Sequence, residues 1–171
     1  MKLYEGKLPI IAHELVGVLV DANLIEVLPE EREEAELDVQ ATLKEYLRVE
    51  HEINERAREI LQIRGLDFSA FFRIKKGLAD EKGIAIGDEA VDYLVMQIIE
   101  QFLHSSHVEE VFGEDRELRV KMGPVIKKHT EMEDELDREV RDKIKNLEEG
   151  TADWEIEYAR VMENTKRVKK L

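Results

Sequence analysis

Glu100, His104 and His107 place a carboxylate and two imidazoles at spacings of four and three, so on a helix they share neighbouring faces. With Glu110 nearby they could converge on a metal. Zinc accepts such a set and leaves a position open for water. Ser105 and Ser106, between the histidines, argue instead for an ordinary helix end whose rings act as caps and face water. A second set is Glu50, His129 and Glu133, all within apolar seams. If the helices carrying them cross, two carboxylates meet, one pKa rises, and the pair could do acid–base work or hold a divalent ion. The competing reading is a polar residue that fixes register, or one paired to Arg or Lys. A di-iron carboxylate site is disfavoured, because it needs Glu-x-x-His on two helices and the sequence has no such motif. There is also no phosphate loop, dinucleotide fingerprint, nucleophile elbow or His-Glu-x-x-His. No catalytic residue and no cofactor is therefore expected, and Glu100, His104 and His107 stand as the candidate metal ligands.

The elements that position these residues follow from periodicity. Pro9 suits a first helical turn, and Ile11, Leu15, Val18, Leu19 and Ala22 recur at helical spacing. Leu24, Ile25 and Val27 form a connector. Pro29, Glu30 and Glu31 open a long helix that nothing breaks before Gly65. Its seam, Val39, Leu43, Tyr46, Glu50, Ile53, Ala57, Ile60, steps by four and three like a coiled coil. Asp67 can cap the next helix, which bears Phe68, Phe71, Phe72 and Leu78. The helical spacing of these phenylalanines predicts core residues rather than a stacking platform. Gly83 to Gly87 reads as a hinge. Asp88 can cap a helix with a wide apolar face, Val91 to Leu103. Val108, Val111 and Phe112 form a second connector. The next long helix is expected to be interrupted and kinked at Gly123-Pro124. Its seam resumes as Ile126, His129, Glu133, Leu136, Val140, Lys143, Leu147. Gly150 and Thr151 precede a last helix with Trp154, Tyr158, Val161 and Met162.

This order occurs twice. Val27-Leu28-Pro29-Glu30-Glu31-Arg32-Glu33 aligns with Val111-Phe112-Gly113-Glu114-Asp115-Arg116-Glu117 at an offset of 84. Further on the offset is 83, matching Leu43 with Ile126, Glu50 with Glu133, Ile53 with Leu136 and Ala57 with Val140. The expectation is a tandem duplication, residues 1–83 and 84–171, packed as one globular domain. The fold class expected is all-α: a pseudo-twofold bundle of about six helices in two similar halves, the long helices packed on one another or on a second chain.

The 171 residues carry 26 Lys and Arg against 40 Asp and Glu, a net charge of -14, with 43% hydrophobic residues. That apolar share can build a core. The acidity argues against nucleic acid and against an anionic membrane. No Cys excludes disulfides, thiolate nucleophiles and Cys-ligated metals. The Leu8–Val20 stretch, with Pro9, His13 and Glu14, is too short and too charged to span a membrane. A cytoplasmic protein is expected. Glu26 to Asp38 forms an acid run that is either a solvated helix start or a surface for a basic partner. Lys166, Arg167, Lys169 and Lys170 form a small basic tip that complements a helix dipole.

Met1 to Lys7, Ile53-Asn54-Glu55-Arg56-Ala57, Ile86-Gly87-Asp88-Glu89-Ala90, His107 to Phe112, and Lys145 to Thr151 followed by Trp154-Glu155 together resemble a bacterial family catalogued as domain of unknown function 507. The resemblance covers essentially the whole chain. It implies a cytosolic bacterial protein and brings no activity with it. The functional expectation is a non-enzymatic interaction, scaffold or regulatory factor with a protein partner or a second copy of itself. The alternative is a metal-binding protein or metal-dependent enzyme using the Glu/His clusters.

Overall fold

The computed structural model describes residues 2–169, so Lys170 of the basic tip lies outside the described residues. Six helices and one short ribbon follow in the order α1 (Leu8–Asp21), β1 (Ile25–Glu26), α2 (Arg32–Arg64), α3 (Phe71–Lys82), α4 (Ala90–His104), β2 (Glu110–Val111), α5 (Asp115–Lys143) and α6 (Ala152–Lys169). The protein is an all-α bundle. Single 3₁₀ turns lead into α1, α2, α3 and α4.

The apolar faces dictate the packing. The short helices α1 and α4 are the most apolar, burying Leu8, Ile11, Ala12, Leu15, Val16 and Leu19 from one and Ala90, Val91, Leu94, Val95, Ile98, Ile99 and Phe102 from the other. Each packs on both long helices: α1 on α2 and α5, α4 on α5 and α2. The long seams therefore close mainly over α1 and α4 rather than on each other, because only the short helices have faces wide enough to serve two neighbours. The principal core is built from these four helices and takes in Val39, Leu43, Leu118, Met122 and Ile126.

The far half of each long helix folds back on an aromatic-bearing helix, giving hairpins α2–α3 and α5–α6. In both seams the buried positions advance by four at the end, from Ala57 to Leu61 and from Val140 to Ile144, so Ile60 and Lys143 leave the seam. A straight 3.6-residue helix drifts off a 3.5-residue repeat in this way. Gly65 caps α2 in the left-handed conformation, at φ 60°. By contrast α5 stops at Lys143, seven residues before Gly150, and residues 144–151 turn back so that Glu149 reaches Arg141.

Three sequence expectations change. Pro124 lies inside an unbroken α5. The carbonyl it deprives of a donor belongs to Val120, on the solvent face, while Leu118, Met122 and Ile126 hold the opposite face in the core. Asp88 sits within a 3₁₀ turn and caps nothing with its side chain, whereas Asp67 does accept the Ser69 N–H. Finally, the phenylalanines are not core. Phe72 is 62% exposed, Phe68 and Phe71 stack on one another half-exposed, and α3 buries only Ala79.

The ribbon fixes how the halves meet. β1 and β2 run antiparallel with Ile25 opposite Val111 and Glu26 opposite Glu110. Glu26 and Glu110 are 84 residues apart, the offset of the repeated motif, so each stands opposite its own counterpart. That pairing, and the packing of α1 and α4 each on both long helices, are what a twofold relation between the halves would require.

Candidate functional site

The helix that carries Glu100 and His104 ends at His104, and Ser105 leaves it in extended conformation. That break separates the histidines. His104 is exposed, and its Nδ1 lies 2.8 Å from the Glu100 backbone carbonyl. His107 turns to the start of α2 and meets Glu31 at 2.6 Å. The Ser105 hydroxyl donates to Asp38 and accepts the His107 backbone N–H at 3.0 Å. The hydrogen bond the imidazole donates to Glu31, backed by the charges of Asp38 and Glu34, holds the His107 ring above its usual pKa. The segment thus docks one half on the other. Among the described residues, no group of three His, Asp or Glu is placed to hold a metal ion.

The seam acids are answered within their own hairpins. Glu50 is paired with Lys75 of α3 at 2.8 Å, both side chains largely buried. Glu133, buried, faces Lys166 of α6 at 3.8 Å and keeps one oxygen without a hydrogen-bond partner. His129 meets Glu14 of α1 at 3.0 Å. Burial pushes the Glu14 carboxyl up, but hydrogen bonds from His129 and Lys128 outweigh it and leave the pKa below the ordinary value.

Two surfaces remain, the first of which includes the start of the Glu26 to Asp38 acid run. At the ribbon end, Glu26 and Glu110 stand directly opposite one another, a like-charge pair that weakens a ribbon. Leu28 and Phe112, equivalent in the repeat, are 38% and 57% exposed. Around them lie exposed Glu30, Glu33 and Glu109, and among the described residues the carboxylates of Glu26, Glu30, Glu33, Glu109 and Glu110 make no ion pair. The aligned motif held this signal, since both copies keep an apolar residue between acids.

At the opposite end the two hairpins enclose a cleft of about 350 Å³, which Lys2, Leu3 and Tyr4 also line. Its walls carry Phe68 and Phe71 from one hairpin and Trp154 and Tyr158 from the other; the latter rings stack at 4.9 Å. The hairpins touch at their turns, where Phe68 covers Gly150 so closely that a Cβ there would meet the ring at 2.9 Å. Arg58 of α2 reaches across to Glu155 of α6 at 2.9 Å. Arg141 binds Asp137 and Glu149 and lies 5.2 Å from the Trp154 ring centroid. Asp137 also accepts from Tyr158 and pairs with Lys2 at 2.9 Å. Burial raises the Asp137 carboxyl, but these donors overcome it and leave its pKa lowered. Burial and the bond to Asp137 both push the Tyr158 phenol far up. Repeat alignment at offset 83 could have found this cleft, since it matches Arg58 with Arg141, Phe71 with Trp154 and Asn54 with Asp137.

Among the described residues no helix is long and apolar enough to cross a membrane. A family profile described as "Protein of unknown function (DUF507)" matches residues 1–171. No curated protein matches the sequence.

Proposed function

Since the chain belongs to the DUF507 family over its whole length, we propose that it acts as a non-enzymatic interaction factor that docks a basic protein surface on its ribbon end. The observation that carries this reading is the set of unpaired carboxylates at Glu26, Glu30, Glu33, Glu109 and Glu110 around exposed Leu28 and Phe112. Two acids held face to face cost stability in the free protein, and a cationic partner relieves that cost. The apolar pair gives such a partner something to bury, and the acids orient it. The repeat alignment and the ribbon register support a further part of the proposal: residues 1–83 and 84–171 are duplicated units, so the surface offers two similar half-sites.

A photoreactive phenylalanine analogue in place of Phe112, and separately in place of Phe72 at the opposite end, tests the reading. Cross-linking of one basic protein from Phe112 alone is expected. That complex should weaken with salt as exposed charges are screened over about 8–10 Å. It should be lost in Glu26→Lys/Glu110→Lys. Capture only of a second copy of this chain, or of nothing, from Phe112 would overturn the proposal.

A further inference from the structure

Between α2 and α4 runs a groove of about 530 Å³. Val49, Ile84, Leu94 and the Tyr46 ring make its apolar wall, the Tyr46 hydroxyl being spent on the Ala85 carbonyl. From α4 it is lined by a polar stripe, Tyr93, Gln97, Glu100, Gln101 and His104. These positions follow one helix face, about one turn or roughly 5.4 Å apart. Packing does not call for them. The buried face of α1, from Leu8 to Leu19, matches that of α4, from Val91 to Phe102, position for position at an offset of 83. Yet the stripe's counterparts on α1 are Ile10, Glu14, Gly17, Val18 and Asp21, and Glu14 is taken up by Lys128 and His129.

The lining narrows the ligand class. Among the described residues the Gln97 and Gln101 carboxamides and the Tyr93 hydroxyl take no hydrogen bond, and the Glu100 carboxylate makes no ion pair. His104 meets the Glu100 backbone carbonyl through Nδ1. A carbonyl only accepts, so Nδ1 carries the proton and the neutral ring keeps Nε2 as an acceptor. Glu45, on the α2 side, is already held by Arg48, and among the described residues no Lys or Arg lines the groove. An anion therefore finds no cation there, and a purely apolar ligand would strand the acceptors. A flexible cation with N–H donors spaced along an alkyl chain meets every group. Its charge falls on Glu100, its other donors on the Gln97 and Gln101 carbonyls and on His104 Nε2, and its methylenes on the apolar wall. The Tyr93 ring face adds cation–π attraction. Amines joined by three or four methylenes stand about one helical turn apart, the spacing of the stripe. The net charge of -14 concentrates such cations at the surface. We propose that the α2–α4 groove binds a linear polyamine, with one ammonium on Glu100 and its remaining nitrogens on the acceptors a turn away along α4.

Isothermal titration of the full chain with spermidine, with putrescine and with octanediol, a neutral chain of similar length, tests the proposal. Saturable heat at one equivalent of spermidine is expected, with weaker binding of putrescine, which spans fewer acceptors, and none of the diol. Glu100 is exposed, so Glu100→Gln should fold normally and weaken spermidine by roughly tenfold or more, the loss of one charged hydrogen bond. Glu163→Gln, an exposed position on α6, makes the same change in net charge and should leave the affinity unchanged. Gln97→Ala/Gln101→Ala should weaken spermidine while the unfolding midpoint holds. Absence of saturable heat with spermidine at millimolar concentration would overturn the proposal. So would equal losses in Glu100→Gln and Glu163→Gln, or displacement of all spermidine by millimolar magnesium, since either outcome means that the amine only screens an acidic surface. Binding of the diol as tight as that of spermidine would overturn it as well.

Discussion

At the ribbon end, α1 and α4 press Leu15, Leu19, Leu94 and Ile98 between the near halves of α2 and α5, and every one of these side chains is fully buried. At the hairpin end, the far halves of the same long helices diverge around Lys2, Glu50, Arg58, Lys75 and Arg141. The second hairpin there keeps a small core of Leu136, Val140 and Met162. The first has only Ala79 at the position equivalent to Met162. The molecule thus has a dry, closely packed end and a polar, partly open one. The difference comes from the short helices: they reach only half the length of the long ones, so the rest of each seam must find other partners. The dry end carries most of the buried core, and the open end is where the two hairpins differ.

The contrast is broken most directly at the dry end. Leu15→Ala or Ile98→Ala should cost about 2–5 kcal/mol in urea unfolding. Phe72→Ala at the open end should change stability by less than about 0.5 kcal/mol. Equal losses would mean that the hairpins carry the fold as much as the four-helix core does. Asymmetry within the open end comes next. Trp154→Ala should cost about 3 kcal/mol, because Trp154 is buried and stacked, whereas Phe71→Ala, half-exposed, should cost roughly half as much by its smaller buried area. Lys75→Met should then destabilise by about 2 kcal/mol by leaving Glu50 largely buried and alone. Most of that loss should be recovered in Glu50→Gln/Lys75→Met.

The smallest effects distinguish the ends by pH. His107 at the ribbon end has a raised pKa in the folded state. Its contribution is fully present below the unfolded value of 6.5 and disappears as pH climbs through the folded value. Asp137 in the cleft is lowered. Its contribution is present above the unfolded 3.8 and disappears as pH falls through the folded value. NMR titration of the His107 ring should give a midpoint above 6.5, and His107→Gln should flatten the stability profile there without touching the acid limb. Asp137→Asn should do the reverse. A single variant that flattened both limbs would show that the two ends titrate as one network.

Helix number, the two long seams and the apolar character of α1 and α4 were legible in the sequence, because side-chain periodicity records which face is buried. The repeated Val-apolar-x-acid-acid-Arg-Glu motif also located the ribbon's surroundings. Periodicity does not record which neighbour a face meets, so it leaves the long seams to pack on one another or on a second chain, whereas α1 and α4 come between them. It cannot mark the end of burial along a helix either, so the spacing of Phe68, Phe71 and Phe72 predicts a core face that the structure leaves half open. Spacing alone placed His104 and His107 together, but Ser105 turns the chain out of the helix and sends the two rings to different neighbours. The cleft was hidden because its residues come from five separate segments, and only their equivalence between halves links them.

The ribbon, finally, constrains the order of events in folding. Bringing Glu26 to Glu110 closes a loop of 84 residues, an entropic cost of about 4 kcal/mol from the logarithmic length dependence alone. Two residues of pairing cannot offset that, least of all with two carboxylates opposed. The ribbon must therefore form after α1 and α4 have each found the other half's long helix, when the loop is already closed by packing. Ribbon substitutions should accordingly leave the refolding rate nearly unchanged and appear in the unfolding rate, as expected for contacts absent from the transition state.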